Sequence, residues 1–186
     1  ELIEIFDIKN HAEINDKVGR MLKGAYRAKD LVNQILTFSR QDENELKLIK
    51  IQPIIKEVLL LIRSTIPAMI KIKQDISPDC GVIKGDPTQL HQVIMNLTTN
   101  AYHAMKKSGG RLIISGQDIE VKDSSPASLS EMIPGKYLML EVKDSGEGMS
   151  QKILEKALDP YFTTREKGQG TGMGLTLVRS IVERHR

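Results

Sequence analysis

The chain has 186 residues, 40% of them apolar and 27% charged, enough for one sizeable core and a small appendage. Lys and Arg number 27 against 24 Asp and Glu, so the net charge is only +3. That charge is dispersed, and three Phe and four Tyr with no Trp offer little for base stacking, which disfavours a nucleic-acid role. Cys80 is the only cysteine, so no intramolecular disulfide can form, and neither a cleavable leader nor an apolar run of about 18 residues occurs. The expectation is a soluble, cytoplasmic chain, any membrane attachment coming from segments outside it.

The first element is the end of an apolar helix, ELIEIF, joined through the polar turn KNHAEIND to a longer helical pattern. Over residues 18–38, Val18, Met21, Ala25, Ala28, Val32 and Ile35 recur at alternating spacings of three and four, the seam of a bundle or coiled coil or, on pattern alone, an ordinary core helix. Residues 1–42 therefore read as a partial helical hairpin that cannot bury its seam by itself. After SRQDENE the pattern changes. LKLIKI alternates like a strand, Pro53 opens the apolar helix IIKEVLLLIRS, and IKIKQDI alternates again. A short strand, VIKG, leads to Asp86 and Pro87, which start a long helix running to about Lys107. RLIISGQDIEV and KYLMLEV follow as paired strands across a loop at residues 123–135 rich in Ser and Pro. From residue 46 onward the class is α+β, a mostly antiparallel sheet with helices on one face.

Within the long helix Leu90, Val93, Ile94, Leu97, Ala101 and Ala104 form the apolar stripe, while Asn96, Asn100 and His103 fall at i, i+4 and i+7 beside it. Asn is a poor helix former, so two of them one turn apart are either solvent-facing or retained for chemistry. An amide oxygen is a hard neutral ligand, suited to a magnesium ion whose charge is balanced by phosphates. DSGEGM, residues 144–149, follows the strand YLMLEV directly. Its composition fits a plain turn, but a carboxylate before two glycines can also bind an exocyclic amine and leave room for a flat ring. Then comes DPYFTTREKGQGTGMGL, where hydroxyls, Arg165 and Lys167 precede glycines at every second position: Gly168, Gly170, Gly172 and Gly174. Alone such a run is a flexible connector. Followed at once by the helix LTLVRSIVER, it has the makings of a phosphate cradle, bare N–H groups and a helix dipole pointing the same way.

In order and spacing, Asn96 with Asn100, DSGEGM, PYFTTR and GTGMGL resemble the N, G1, F and G2 boxes of sensor histidine kinases, within the Bergerat-type ATPase superfamily. The resemblance covers residues 46–186. LVNQILTFSRQ, residues 31–41, is similar to the end of the second helix of their dimerisation and histidine-phosphotransfer hairpin, and NLTTNAYHAM and PYFTTR are similar to the nitrogen-regulator-like branch, which has a short lid.

The resemblance implies a Bergerat sandwich that binds ATP with Mg2+. It implies that Asn100 coordinates the metal, that Asn96 lines the same site, and that Arg165 completes the group nearest the transferred phosphoryl. Asp144 would take the adenine amino group, with Gly146 and Gly148 beside the base and Ile153 on its face. Thr163, Thr164, Arg165 and Lys167 would form the lid, Gly168, Gly170, Thr171, Gly172 and Gly174 would hold phosphates, and Phe162, Met173 and Leu175 would line the pocket. His103 stands where many members have a phosphate-contacting Lys. The family's phospho-acceptor histidine sits on the first hairpin helix before an acidic residue, yet residues 1–8 contain no His, and His11 lies in the turn before Ala12. The acceptor, and the last strands of the family's sheet, are therefore expected outside this chain. Implied partners are a second copy of the chain through the hairpin and a response-regulator receiver domain. Two other readings stay open. ATP-hydrolysing relatives carry Glu where this chain has Asn96, and a carboxamide cannot activate water, which favours transfer over hydrolysis. The other is a dimerising scaffold with a vestigial pocket.

Overall fold

The computed structural model describes residues 46–63, 66–122, 132–165 and 170–185, together with 14, 15, 17–19, 21 and 24. The chain divides into two compact units, Glu1–Asn44 and Glu45–Arg186. In the first, the described residues are helical, and Ile14, Val18 and Met21 of that helix are exposed. The rest of the expected seam, the helix at 1–8 and the LVNQILTFSRQ stretch lie outside the described residues.

In the second unit the alternation at 46–51 becomes β1 (Lys47–Lys50), which runs straight into α1 (Ile51–Arg63). This helix starts two residues before the proline that was expected to open it. Pro53 occupies the first turn, where its missing N–H has no helical acceptor to lose. Ile51, Ile54, Ile55, Val58, Leu59 and Ile62 are buried at helical spacing, each contributing on the order of 2 kcal/mol of apolar burial. Next come β2 (Ile70–Ile76), β3 (Val82–Gly85) and α2 (Pro87–Met105). Asp86 caps α2: its Oδ1 accepts from the Thr88 N–H at 2.8 Å and the Gln89 N–H at 3.4 Å, with Pro87 as the first helical residue. The helix ends at Met105, short of the expected Lys107. The chain turns there through Gly109 at φ +69, whose N–H donates to the Met105 carbonyl at 2.8 Å. A Cβ at Gly109 would lie 2.9 Å from the Met69 carbonyl oxygen, so the turn needs glycine twice over.

Two long strands, β4 (Gly110–Val121) and β5 (Gly135–Asp144), complete the sheet, followed by α3 (Gln151–Lys156) and α4 (Gly174–Arg184). The strand order is β2-β4-β5, with β1 and β3 as a separate antiparallel ribbon. The β4–β5 pair is antiparallel from Leu112↔Asp144 to Val121↔Gly135, as the sequence predicts. The β2–β4 pair is parallel, Ile70↔Gly110 to Ile76↔Gly116, because α2 carries the chain back to the end where β2 began. Even-numbered residues such as Leu112 and Ile114 face inward against α1 and α2, joined by Ile94, Ala101 and Met105. Helix α4 packs on α2 through Val93, Leu177 and Ile181. Among the described residues no helix is long and apolar enough to cross a membrane.

Candidate functional site

Helix α2 is the base of the site. Leu90, Val93, Ile94 and Ala101 of the predicted stripe are buried, Leu97 and Ala104 are half-buried, and Thr98 joins the stripe with its hydroxyl donating to the Ile94 carbonyl at 2.6 Å. Asn96, Asn100 and His103 stand beside that stripe, all half-buried. Three later segments converge on this polar edge.

The first is the loop after β5. Asp144 Oδ1 accepts from the Gly146 N–H at 2.8 Å, and Ser145 Oγ accepts from the Arg111 N–H at 2.9 Å, so both side chains fold the backbone back onto the sheet end. The Glu147 N–H donates to the Ala104 carbonyl at 3.4 Å. A Cβ at Gly146 would lie 2.7 Å from that same oxygen, so glycine lets the loop dock directly on the last turn of α2. Gly148 sits at φ +68 in open space, and Ile153 is half-buried at the start of α3.

The second is the PYFTTR segment. Tyr161 has φ +65, the single non-glycine residue in the left-handed region among the described residues. Phe162 is half-buried, whereas Thr163 and Thr164 are exposed. Thr163 Oγ1 accepts from the Arg165 N–H at 3.2 Å, and Arg165 reaches across to α2, its Nη2 donating to Asn100 Oδ1 at 2.7 Å. Burial lowers the Arg165 pKa, but a guanidinium keeps its charge at any ordinary pH. Burial, and next the positive charges of Arg165 and Lys106, hold the His103 imidazole below its ordinary value. His103 is therefore neutral at pH 7 and offers no fixed cation where a Lys would.

The third is the glycine run into α4. Gly172, at φ +66, lies so close to the backbone of Tyr161 that a Cβ would fall 2.6 Å from its Cα. A Cβ at Gly170 would lie 2.6 Å from Thr163 Oγ1. Gly174 opens α4 against both asparagines, its Cβ position 3.3 Å from Asn96 Oδ1 and 3.9 Å from Asn100 Nδ2. Thr171 Oγ1 accepts from the Met173 N–H at 3.4 Å, while Met173 and Leu175 are half-buried. No side chain caps this helix end, which opens beside the asparagines. Lys167 and Gly168 lie outside the described residues.

Sequence reasoning, which gives His185 only a structural place in a helix, does not foresee its partners, and it misses two further supports. His185 Nε2 accepts from the Asp86 N–H at 3.0 Å while Nδ1 donates to the Ile181 carbonyl at 2.7 Å, pinning the end of α4 to the start of α2. Thr176 Oγ1 donates to the Leu158 carbonyl at 3.1 Å, tying α4 to the segment after α3. Tyr161 holds a left-handed backbone conformation against Gly172. Only the polar residues in otherwise apolar helical stretches hinted at the first two.

The sequence matches the family described as histidine kinase-, DNA gyrase B- and HSP90-like ATPases over residues 85–186. Sensor kinase CckA of Brucella abortus is 32% identical over 161 residues, covering 87% of this chain and 17% of that protein. The sensory histidine kinase/phosphatase NtrB of Azospirillum brasilense is 31% identical over 157 residues, 83% of this chain and 38% of that one. The chain thus spans less than two fifths of either relative's length. Among solved structures, the nucleotide-free catalytic domain of histidine kinase ThkA superposes with a TM-score of 0.60 at 27% identity, over 76% of this chain and 82% of that one. With the asparagine pair, the Asp144 loop, the PYFTTR segment and the glycine-led helix gathered on one α2 edge, and with the family match spanning all four, the chain belongs to the histidine kinase-, DNA gyrase B- and HSP90-like ATPases.

Proposed function

We propose that the chain is the ATP-binding catalytic part of a sensor histidine kinase, moving the γ-phosphoryl group of ATP to a histidine outside the described site. The observation that carries this reading is the meeting of Arg165 with Asn100 and of Gly174 with both asparagines. A lid cation, an amide ligand and a helix N-terminus surround one point, as a transferring phosphoryl group requires. Asp144 orients the adenine, Gly146 and Gly148 leave its ring room, and Ile153 packs on it. Thr163, Thr164, Arg165 and Lys167 close over the phosphates, while Gly168, Gly170, Thr171, Gly172 and Gly174 bind them by backbone.

Asn100 fits Mg2+ as a first protein ligand: its Oδ1 already faces a cationic group. Among the described residues no cluster of three or more His, Cys, Asp or Glu could hold a metal alone, which suits an ion held mainly by nucleotide phosphates. Bound there, the ion would neutralise phosphate charge. Asn96 offers a carboxamide and no base, so water is not activated and transfer is favoured over hydrolysis. The likeness to NtrB supports the nitrogen-regulator-like branch. By the same resemblance, residues 1–42 belong to a dimerising hairpin, and the phosphoryl group passes on to a response-regulator receiver domain.

The test incubates the chain with labelled ATP, Mg2+ and a separate helix bearing an acceptor histidine. Label appears on the acceptor and not on this chain. Failure to bind any adenine nucleotide refutes the reading, and steady phosphate release without acceptor supports a hydrolase instead.

A further inference from the structure

The sheet face turned away from the helices carries an uneven charge pattern set by register. The ladder places Lys71 beside Arg111 and, two residues on, Ile113 beside Lys143. All four are odd-numbered positions that alternate with the buried Leu112 and Ile114, so they stand together on the outer face. The next positions along the strands are compensated: Lys73 pairs with Asp75 at 3.5 Å, and Ser115 Oγ donates to Glu141 Oε2 at 3.2 Å. Among the described residues, Lys71, Arg111 and Lys143 have no carboxylate in salt-bridge range. Like charges set side by side on neighbouring strands oppose sheet formation.

These three exposed cations border a shallow, open concavity. They line a concavity of about 420 Å³ with Ile113, Gly110, Asp144 and Ser145. That volume falls in the range of small-molecule sites. Two hydrogen bonds brace its wall: Ser145 Oγ accepts from the Arg111 N–H, and the Ser145 N–H donates to the Arg111 carbonyl at 3.1 Å. Gly110 keeps the wall bare, since a Cβ there would collide with Ser145 Oγ and lie 2.9 Å from Met105 Sδ. Asp144 is the single acid in the lining, at an inner-face register position opposite Leu112, and its Oδ1 is engaged by the Gly146 N–H.

We infer that this concavity is a second anion site, on the opposite face of the sheet from the α2 cradle, that takes a small, multiply charged phosphate compound. Arg111 supplies a planar fork, Lys71 and Lys143 supply point charges from either side, and the half-buried Ile113 lies between the strands that carry them. Its three cations belong to none of the four motifs, whereas Asp144 and Ser145 at its rim belong to DSGEGM and border the proposed nucleotide site.

The probe is pyrophosphate, titrated at low ionic strength into the isotope-labelled chain while backbone amide resonances are followed. Saturable shifts are expected at Lys71, Ile113 and Lys143. Lys71→Glu and Lys143→Glu each weaken this site about tenfold, whereas Lys136→Glu, the same charge change at the far end of β5, leaves it within about twofold. Asn100→Ala leaves it within about twofold as well. Shifts confined to Gly170–Gly174, equal weakening by all three reversals, or no saturation with millimolar pyrophosphate would each overturn the proposal. A chain that binds no ATP but passes this test retains the sheet site and loses only the nucleotide reading.

Discussion

Gly172 and Gly148 share a backbone conformation, at φ +66 and +68, but not a neighbourhood. Nothing lies within 4 Å of a Cβ placed on Gly148, whereas at Gly172 the Cβ meets the backbone of Tyr161, 2.6 Å from its Cα. An alanine in the left-handed region costs about 1–2 kcal/mol, and that should be nearly the whole effect of Gly148→Ala. Gly172→Ala carries the same cost plus an overlap that no rotamer change relieves, because the obstacle is main chain. Overpacking of this kind adds roughly 1–3 kcal/mol, for a total of about 2–5 kcal/mol. At about 3 °C per kcal/mol for a unit of this size, Gly148→Ala should lower Tm by about 5 °C and Gly172→Ala by about 10 °C. The assay is thermal unfolding of both variants beside the parent, with ATP affinity measured for Gly172→Ala, which moves Tyr161 to Arg165 away from the α4 end. Equal Tm losses in the two variants would refute the close-approach argument and leave only the φ term.

His185→Ala removes the acceptor of the backbone N–H of the buried Asp86, so denaturant unfolding should show a loss of about 1–3 kcal/mol; a change below about 0.5 kcal/mol means the latch is not holding α4 to α2. Because the folded-state pKa of His103 lies below its ordinary value, the folded state resists its protonation. The associated stability is intact above about pH 6.5 and is lost as pH falls from there through the depressed value, which His103→Gln abolishes; proton resonances of the ring titrated against pH should show the midpoint displaced downward. A phosphate ligand reverses that bias, so ATP binding should take up a proton as pH falls below the ordinary histidine range, detectable as a buffer-dependent heat of binding that disappears in His103→Gln. Asn96→Glu places a carboxylate beside Gly174 and should raise acceptor-free phosphate release by at least about tenfold over the parent, and an unchanged rate refutes the role given to the carboxamide.

The sequence by itself determined the local elements and the chemical types at the site. Alternation set β2, β4 and β5, the Asp86–Pro87 pair set the start of α2, and the four motifs carried the family, because each depends on near neighbours in the chain. Helix α3 was not legible: it buries no residue, so no apolar period marks it. Tertiary structure alone decided that β2 lies parallel to β4, that Arg165 reaches Asn100 across 65 positions, and that His185 accepts from Asp86 across 99. It also set Tyr161 against Gly172 and gathered Lys71, Arg111 and Lys143 on one face. These follow from register and from backbone approaches between distant segments. A glycine's role in them depends on what stands opposite, and its sequence neighbours do not carry that information.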